Sequence, residues 1–71
     1  MSTSKTLAEA IKEARAKTSL TQVAAAKKAG LNSNTYAKIE RGDTKKPDAL
    51  SLRKIGKALG VDPNKFLDLL N

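Results

Sequence analysis

The stretch that decides the fold is AGLNSNTYAKIERG, residues 29–42. Its second half has the spacing of an amphipathic helix, with Tyr36 and Ile39 on the side that faces a core. Where this helix should begin, the sequence has four small polar residues in a row: Asn32, Ser33, Asn34 and Thr35. One such residue is enough to cap a helix. The others therefore indicate a polar surface with a use beyond capping.

Two helices are predicted before and beside this stretch. The first covers about residues 7–17, because Thr6 and Glu9 have the spacing of a capping box and apolar residues follow at helical intervals. The second begins after Thr21, a good N-cap, and ends at Gly30. Only three or four residues separate the second and third helices, which is the length of the turn in a helix-turn-helix.

Two more helices are predicted after Gly42. Asp48 caps the fourth, which ends at Gly60. Asp62 and Pro63 begin a short fifth helix, as N-cap and first helical residue. Its apolar contacts are expected to be Phe66, Leu69 and Leu70. No segment alternates with period two, so the predicted fold class is all-α, with five short helices.

The length and the charge limit the possible functions. A chain of 71 residues forms one domain, predicted over 6–71, with residues 1–5 as a flexible N-terminus. Fourteen Lys and Arg against seven Asp and Glu give a net charge of +7, and residues 27–57 hold nine of the basic groups and three of the acidic ones. This balance favours a polyanionic partner, most often nucleic acid. With only one Tyr and one Phe, binding of single strands by stacking is disfavoured.

Other functional classes are disfavoured by missing residue types. The chain has no His and no Cys, which argues against a zinc site and against Ser-His or Cys-His catalysis. No pair of carboxylates suggests a shared catalytic site, so we expect no enzyme, no metal, no cofactor and no small-molecule ligand. The longest apolar runs are far too short to span a membrane, and no signal-peptide pattern is present. A cytoplasmic protein that does not bind membranes is predicted.

The polar residues at the start of the third helix suit contact with DNA bases. In a helix-turn-helix, the N-terminal residues of the second helix of the pair contact base edges in the major groove. Ser33 and Asn34 have the short hydrogen-bonding side chains that this requires, and Lys38 lies one turn further along the same face. Asn32 is expected to be the N-cap, with a phosphate contact as an addition. Thr35 is equally suited to facing DNA and to packing at the rim.

The segments LTQVAAAKKAGLNSNTYAKIERG and PDALSLRKIGKALGV resemble the repressor and Cro family of phages lambda and 434, and the resemblance covers about residues 6–70. It implies a lambda repressor-like domain whose second and third helices form the helix-turn-helix. It also implies a sequence-specific regulator of transcription, expected to be a repressor, that binds double-stranded DNA as a homodimer on a near-palindromic operator. A bacterial cell is the expected setting, with the gene carried by a phage, a plasmid or the host.

The resemblance assigns roles to individual positions. It implies base contacts by Ser33, Asn34 and Lys38. It implies backbone or flanking contacts by Gln22, Asn32, Thr35, Arg41, Thr44, Lys45 and Lys46, with Gln22 also bracing the third helix, and positive charge adds Lys27 to this group. It implies an internal ion pair between Arg15 and Glu40. It implies a dimer contact around Val61, Asp62 and Pro63, to which Leu50 is added as an apolar residue off the buried stripe.

Three departures from the family pattern predict a thin core. Ala25 and Ala49 stand where leucine is common, and Gly56 stands where alanine is common. Each change is expected to destabilise the fold by about 1 kcal/mol, through lost apolar burial or added backbone entropy.

The sequence leaves two alternatives to DNA binding open. An antitoxin-type module would use the same fold mainly to bind another protein. A basic amphipathic membrane binder would need one helix with a wide apolar face, whereas the apolar stripes here are narrow. Repressor, Cro-like protein, restriction-modification controller and antitoxin are not separated by the sequence.

Overall fold

A computed structural model describes residues 6–44 and 47–69 of the chain. Five helices connected by short turns make up this part of the protein, and the residues described include no strand. The predicted all-helical fold with a helix-turn-helix is therefore confirmed. The helices are α1 (Leu7–Ala16), α2 (Gln22–Ala29), α3 (Ser33–Arg41), α4 (Ala49–Leu59) and α5 (Pro63–Leu67).

Some predictions concern residues outside the described ranges. They are the flexible N-terminus at 1–5, the DNA backbone contacts by Lys45 and Lys46, and the apolar contact by Leu70.

The first three helices begin at the predicted caps. Thr6 and Glu9 form a complete capping box, in which each side chain accepts a hydrogen bond from the backbone amide of the other, at 3.2 and 3.0 Å. Thr21 accepts from the amide of Ala24 at 3.1 Å, and Asn32 accepts from the amide of Asn34 at 2.8 Å. Side chains thus satisfy amide groups that have no partner inside the helix.

Asp48 differs from its prediction. It occupies the N-cap position of α4, but its side chain makes no hydrogen bond to the helix backbone. Its carboxylate instead accepts a hydrogen bond from Ser51 Oγ at 2.6 Å. The hydroxyl of Ser51, at the third helical position, therefore donates to Asp48 in place of a backbone amide.

The core lies between α1, α2, α3 and α4, and α5 closes one side. α3 packs on α1 and α2, whereas α4 packs on α2 and α5. The larger buried side chains come from every helix except α2, which contributes Ala25, Ala26 and Ala29. Small side chains let α2 approach its two neighbours closely. The larger buried side chains are Ile11, Tyr36, Ile39, Leu52, Ile55, Leu59 and Phe66.

Two of the three residues that were expected to thin the core, Ala49 and Gly56, do not do so. Ala49 is exposed, so a leucine at this position would add no buried surface. Gly56 is buried where α5 meets α4: a Cβ atom there would lie 2.9 Å from the carbonyl oxygen of Val61 and 3.1 Å from Cα of Pro63. The glycine is therefore needed for this close approach.

The prediction for Leu69 is also wrong. Phe66 is buried as predicted, but α5 ends at Leu67 and Leu69 lies in the turn beyond it, 36% exposed. Leu67 packs against the core in its place. Because the helix ends at Leu67, Leu69 does not continue the helical spacing that begins at Phe66.

Candidate nucleic-acid interface

α3 has two faces of opposite character. Tyr36, Ile39 and Glu40 are buried, at 0, 3 and 1% exposure. The predicted base-contact residues Ser33, Asn34 and Lys38 are exposed together on the other side, next to Asn32 and Thr35. Within the described ranges, the side chains of Ser33, Asn34, Thr35 and Lys38 make no hydrogen bond to the protein. This outer face therefore offers donors and acceptors to a ligand.

The connection between α2 and α3 holds the two helices close together. It consists of Gly30, Leu31 and Asn32. Gly30 has φ = +72°, a left-handed conformation that favours glycine. The amide of Leu31 donates to the carbonyl of Ala26 at 2.9 Å, and the Leu31 side chain packs against the core. A turn of three residues between two packed helices is the geometry of a helix-turn-helix.

Glu40 connects α3 to the rest of the interface. Its Oε2 accepts hydrogen bonds from Arg15 Nε at 2.6 Å and from Tyr36 Oη at 3.1 Å, and its Oε1 accepts one from Gln22 Nε2 at 2.6 Å. Arg15 also donates from Nη1 to the carbonyl of Leu20 at 2.9 Å. The carboxylate thus joins α1, α2 and α3, and its charge is balanced by the Arg15 guanidinium.

The hydrogen bonds keep Glu40 ionised. Burial alone would raise the pKa of this carboxyl, but the hydrogen bonds from Arg15, Gln22 and Tyr36 outweigh burial and hold the pKa below its ordinary value. The pKa of the Tyr36 hydroxyl, by contrast, is raised. Burial is the larger cause, and the neighbouring Glu40 carboxylate is the second. The tyrosine therefore remains a hydrogen-bond donor to Glu40 at neutral pH.

Gln22 lies at the start of α2 and is half-buried. One N–H of its amide points to Glu40, which ties the beginning of α2 to α3. An amide nitrogen carries two hydrogens, so a second N–H remains for an acceptor outside the protein. Gln22 is thus able to brace α3 and to bind a phosphate at the same time.

The other predicted backbone contacts in the described ranges lie at the surface to different degrees. Lys27 is exposed on α2, and Thr44 is half-buried after the end of α3. Arg41 is 57% exposed and binds Asp43 Oδ2 through Nε and Nη2, at 3.1 and 2.8 Å. An exposed ion pair of this kind is worth at most about 1 kcal/mol, so a phosphate is able to replace Asp43 as the partner of Arg41.

Three of the four predicted dimer-contact residues lie together. Leu50 is 59% exposed and lines a groove of about 570 Å³ with Asp62 and Pro63. Val61 does not line this groove. It packs against the core and lines a second cavity of about 460 Å³ between α1 and α5.

The role of Tyr36 was only half predicted. Its spacing placed the ring in the core, where it is. Its hydrogen bond to Glu40 was missed, although two signals were available: the four-residue separation, which places the two side chains on one face, and the need of a buried phenol for a partner. Val23, beside Gln22, is 64% exposed, and the sequence contains no signal for this exposure.

Two other kinds of feature, metal-holding side-chain groups and membrane-spanning helices, do not occur in the part of the chain that the structure describes. There, no group of three or more His, Cys, Asp or Glu side chains is placed to hold a metal ion. None of the helices in residues 6–44 and 47–69 has the length and apolar character needed to cross a membrane.

Comparison with known proteins gives one match. A family model described as helix-turn-helix matches residues 11–66, which include the α2–α3 turn and all the residues predicted to contact DNA. No curated protein and no solved structure matches the chain.

Proposed function

The chain belongs to the Cro/C1-type helix-turn-helix family, and we propose that it is a repressor that binds a near-palindromic operator as a homodimer. Members of this family bind double-stranded DNA and regulate transcription, and this chain is a regulator of that kind. The family is a DNA-binding one rather than an enzymatic one. We place the protein in the cytoplasm of a bacterium, with a phage, plasmid or host gene as its source.

The outer face of α3 is the observation that carries the proposal. Ser33 and Asn34 are exposed in the first turn of the helix, where the Asn32 cap supplies the backbone partner. They are therefore free to bond base edges in the major groove, Asn34 preferably to an adenine and Ser33 to several bases. Lys38, one turn further on, is assigned to a guanine or a phosphate. The Glu40 network on the opposite face supports this assignment, because it holds α3 in place.

A second group of residues is assigned to the DNA backbone. Such contacts set affinity and orientation but carry no sequence information. These residues lie on α2, on α3 and in the segments that flank α3, and their exposed or half-buried positions, together with their charge or hydrogen-bonding groups, support the assignment. The residues in the described ranges are Gln22, Lys27, Asn32, Thr35, Arg41 and Thr44, and Lys45 and Lys46 are added on sequence alone.

A homodimer would give the selectivity that one copy lacks. A single α3 contacts too few base pairs, whereas two copies on half-sites about 34 Å apart double the number. Leu50, Asp62 and Pro63 are proposed as contacts because they share one groove, and Val61 is kept as a neighbour that shapes the turn. Residues 6–71 would then act as one DNA-binding domain.

The proposal is tested by selecting bound sequences from random duplex DNA at physiological salt. We expect an enriched site with two half-sites related by a two-fold axis. Asn34→Ala should relax the preference at one base pair in each half-site, because one base contact is worth about 1 to 3 kcal/mol. Lys27→Ala should weaken binding to all sequences alike and lower the salt slope by about 1.

The two variants serve as controls for each other. If neither the wild-type protein nor any variant enriches a site, the specific-regulator proposal is wrong. If Asn34→Ala and Lys27→Ala behave identically, the division between base and backbone contacts is wrong. An enriched site with a single half-site would contradict only the homodimer part of the proposal.

A further inference from the structure

The outer face of α4 has no part in the core or in the Glu40 network. Leu50, Arg53, Lys54 and Lys57 follow one another at intervals of three, one and three residues, which places them on one side of the helix. All four are exposed. They line the groove of about 570 Å³ together with Asp62, Pro63 and Asn64 at the start of α5. We refer to Leu50, Arg53, Lys54, Lys57 and Pro63 as the α4 face.

Within the described part of the chain, none of the three cations of the α4 face forms an ion pair with a carboxylate. The ion pairs found there are Arg15–Glu40 and Arg41–Asp43, and neither involves this face. Asp62 also lines the groove and keeps its negative charge while its carboxylate caps α5, accepting from the amide of Asn64 at 3.0 Å, so the lining has three positive charges against one negative charge. Asp48 is close enough for the charge of Lys54 to affect it, but its carboxylate is bonded to Ser51 Oγ. Three cations therefore remain available to a ligand.

The groove also has an apolar end. Leu50 is 59% exposed, and Pro63 lines the same groove. A single exposed leucine is ordinary on a protein surface. Here it stands in line with three cations on one helix face, so that one ligand could cover the leucine and bind the cations together. This combination indicates an amphipathic ligand that carries negative charge.

We propose that the α4 face binds an acidic amphipathic segment of another protein, whose carboxylates bind Arg53, Lys54 and Lys57 and whose apolar side chain covers Leu50 and Pro63. The homodimer proposed above would use Leu50 and Pro63, but it would also bring a second set of the three cations close to the first. An acidic segment therefore fits the whole face better than a second copy does. Duplex DNA is less suitable because its backbone offers anions but no apolar side chain to cover Leu50 and Pro63.

Such a partner would also affect DNA binding. Leu50 and Pro63 belong both to the α4 face and to the proposed dimer contact. An acidic segment bound there would compete with dimerisation and lower affinity for a two-half-site operator. The segment would bind the face of a single chain, so its binding is testable without operator DNA, at protein concentrations below those at which the chain self-associates.

The test uses a labelled synthetic helical peptide with three Glu at intervals of three and four residues and one Leu on the same face. A scrambled peptide of the same composition is the first control. Binding to the full chain is followed by fluorescence anisotropy. The triple variant Arg53→Gln, Lys54→Gln, Lys57→Gln should bind the peptide about tenfold more weakly, as the loss of three exposed ion pairs would give.

A second triple variant controls for net charge. Lys12→Gln, Lys28→Gln, Lys65→Gln removes the same number of charges from exposed positions on α1, α2 and α5. It should weaken peptide binding by less than about twofold, because charges at a distance are screened by salt. Leu50→Ala should weaken binding of the designed peptide more than binding of the scrambled one. All variants change exposed side chains, and their melting temperatures check that the fold is retained.

Four results would overturn the proposal. The first is equal weakening by the two triple variants, which would show an effect of net charge alone. The second is equal binding of the designed and scrambled peptides. In the third, the Arg53, Lys54, Lys57 variant loses duplex affinity as strongly as Lys38→Gln, so that the face belongs to DNA. In the fourth, the peptide does not bind while Leu50→Asp abolishes self-association, so that the face serves the dimer only.

Discussion

A single carboxylate organises the inner side of the proposed interface. A buried charge is costly unless it is paired and hydrogen-bonded. Glu40, 1% exposed, has one charged and two neutral donors. Because the donors come from α1, α2 and α3 itself, the carboxylate constrains the position of α3 relative to both neighbours. The position of the outer face of α3 thus depends on Glu40, whose side chain lies on the opposite face of the helix.

We predict that Glu40→Gln lowers the free energy of unfolding by about 3 kcal/mol at neutral pH, because breaking a buried pair leaves Arg15 without its counter-charge. Urea unfolding followed by circular dichroism measures this. Asp68→Asn, at an exposed position after α5, is the control and should leave stability unchanged. An unaltered unfolding midpoint for Glu40→Gln would show that the network contributes nothing to folding.

The same group predicts a pH dependence. The pKa of Glu40 in the folded protein is lower than its ordinary value of 4.5, so the ionised form is bound more favourably in the folded state. This contribution is fully present above about pH 4.5 and is lost as the pH falls through the lower folded pKa. Thermal unfolding between neutral and acid pH should show this loss in the wild type, and Glu40→Gln should lack that component. Identical pH profiles for both proteins would contradict it.

At the scale of the helices, local sequence signals were sufficient to predict where the helices begin. They were not sufficient to predict how the helices contact one another. Four helix starts were predicted from residues close together in the sequence, and the structure contains all four. They are the capping box at Thr6, the caps at Thr21 and Asn32, and the start of α5 at Pro63. The end of α5 and the need for Gly56 depend on how α5 returns against α4. No local pattern contains that information. Tyr36 is intermediate, because its spacing indicates burial and a position on the same face as Glu40, whereas the hydrogen bond between them also requires that Glu40 be buried.

We predict that Gly56→Ala destabilises the protein, although alanine is the better helix former by about 1 kcal/mol. The added Cβ would lie 2.9 Å from the carbonyl oxygen of Val61, which is backbone and cannot turn away. Overpacking of this kind costs about 1 to 3 kcal/mol. Lys54→Ala on the exposed side of α4 is the control, with a change within about 0.5 kcal/mol. A higher melting temperature for Gly56→Ala would show that α5 adjusts without strain.

At the scale of the whole molecule, charge acts in opposite directions on the two proposed associations. The net charge of +7 attracts a polyanion and repels a second copy. The repulsion is strongest where the proposed dimer contact lies, because Arg53, Lys54 and Lys57 line the same groove as Leu50 and Pro63. In free solution the chains should therefore associate weakly.

We predict that added salt weakens DNA binding and strengthens self-association. Salt lowers DNA affinity through counterion release and screens the repulsion between copies. Anisotropy titrations with duplex DNA and sedimentation equilibrium without DNA, each from about 50 to 500 mM salt, measure the two effects. The Arg53, Lys54, Lys57 triple variant should self-associate with a smaller salt dependence. Self-association that weakens with salt would contradict the proposed position of the contact.

The separation of the two faces of α3 has a consequence for how such a protein changes over generations. Ser33, Asn34, Thr35 and Lys38 make no hydrogen bond to the protein within the described ranges, while Tyr36, Ile39 and Glu40 hold the helix. Substitutions at the first group leave the folding free energy nearly untouched. After gene duplication, changes in these four codons could therefore give one copy specificity for a new operator, while every intermediate protein still folds. The same four positions form a natural library for directed evolution, in which most members fold and differ only in the DNA that they select.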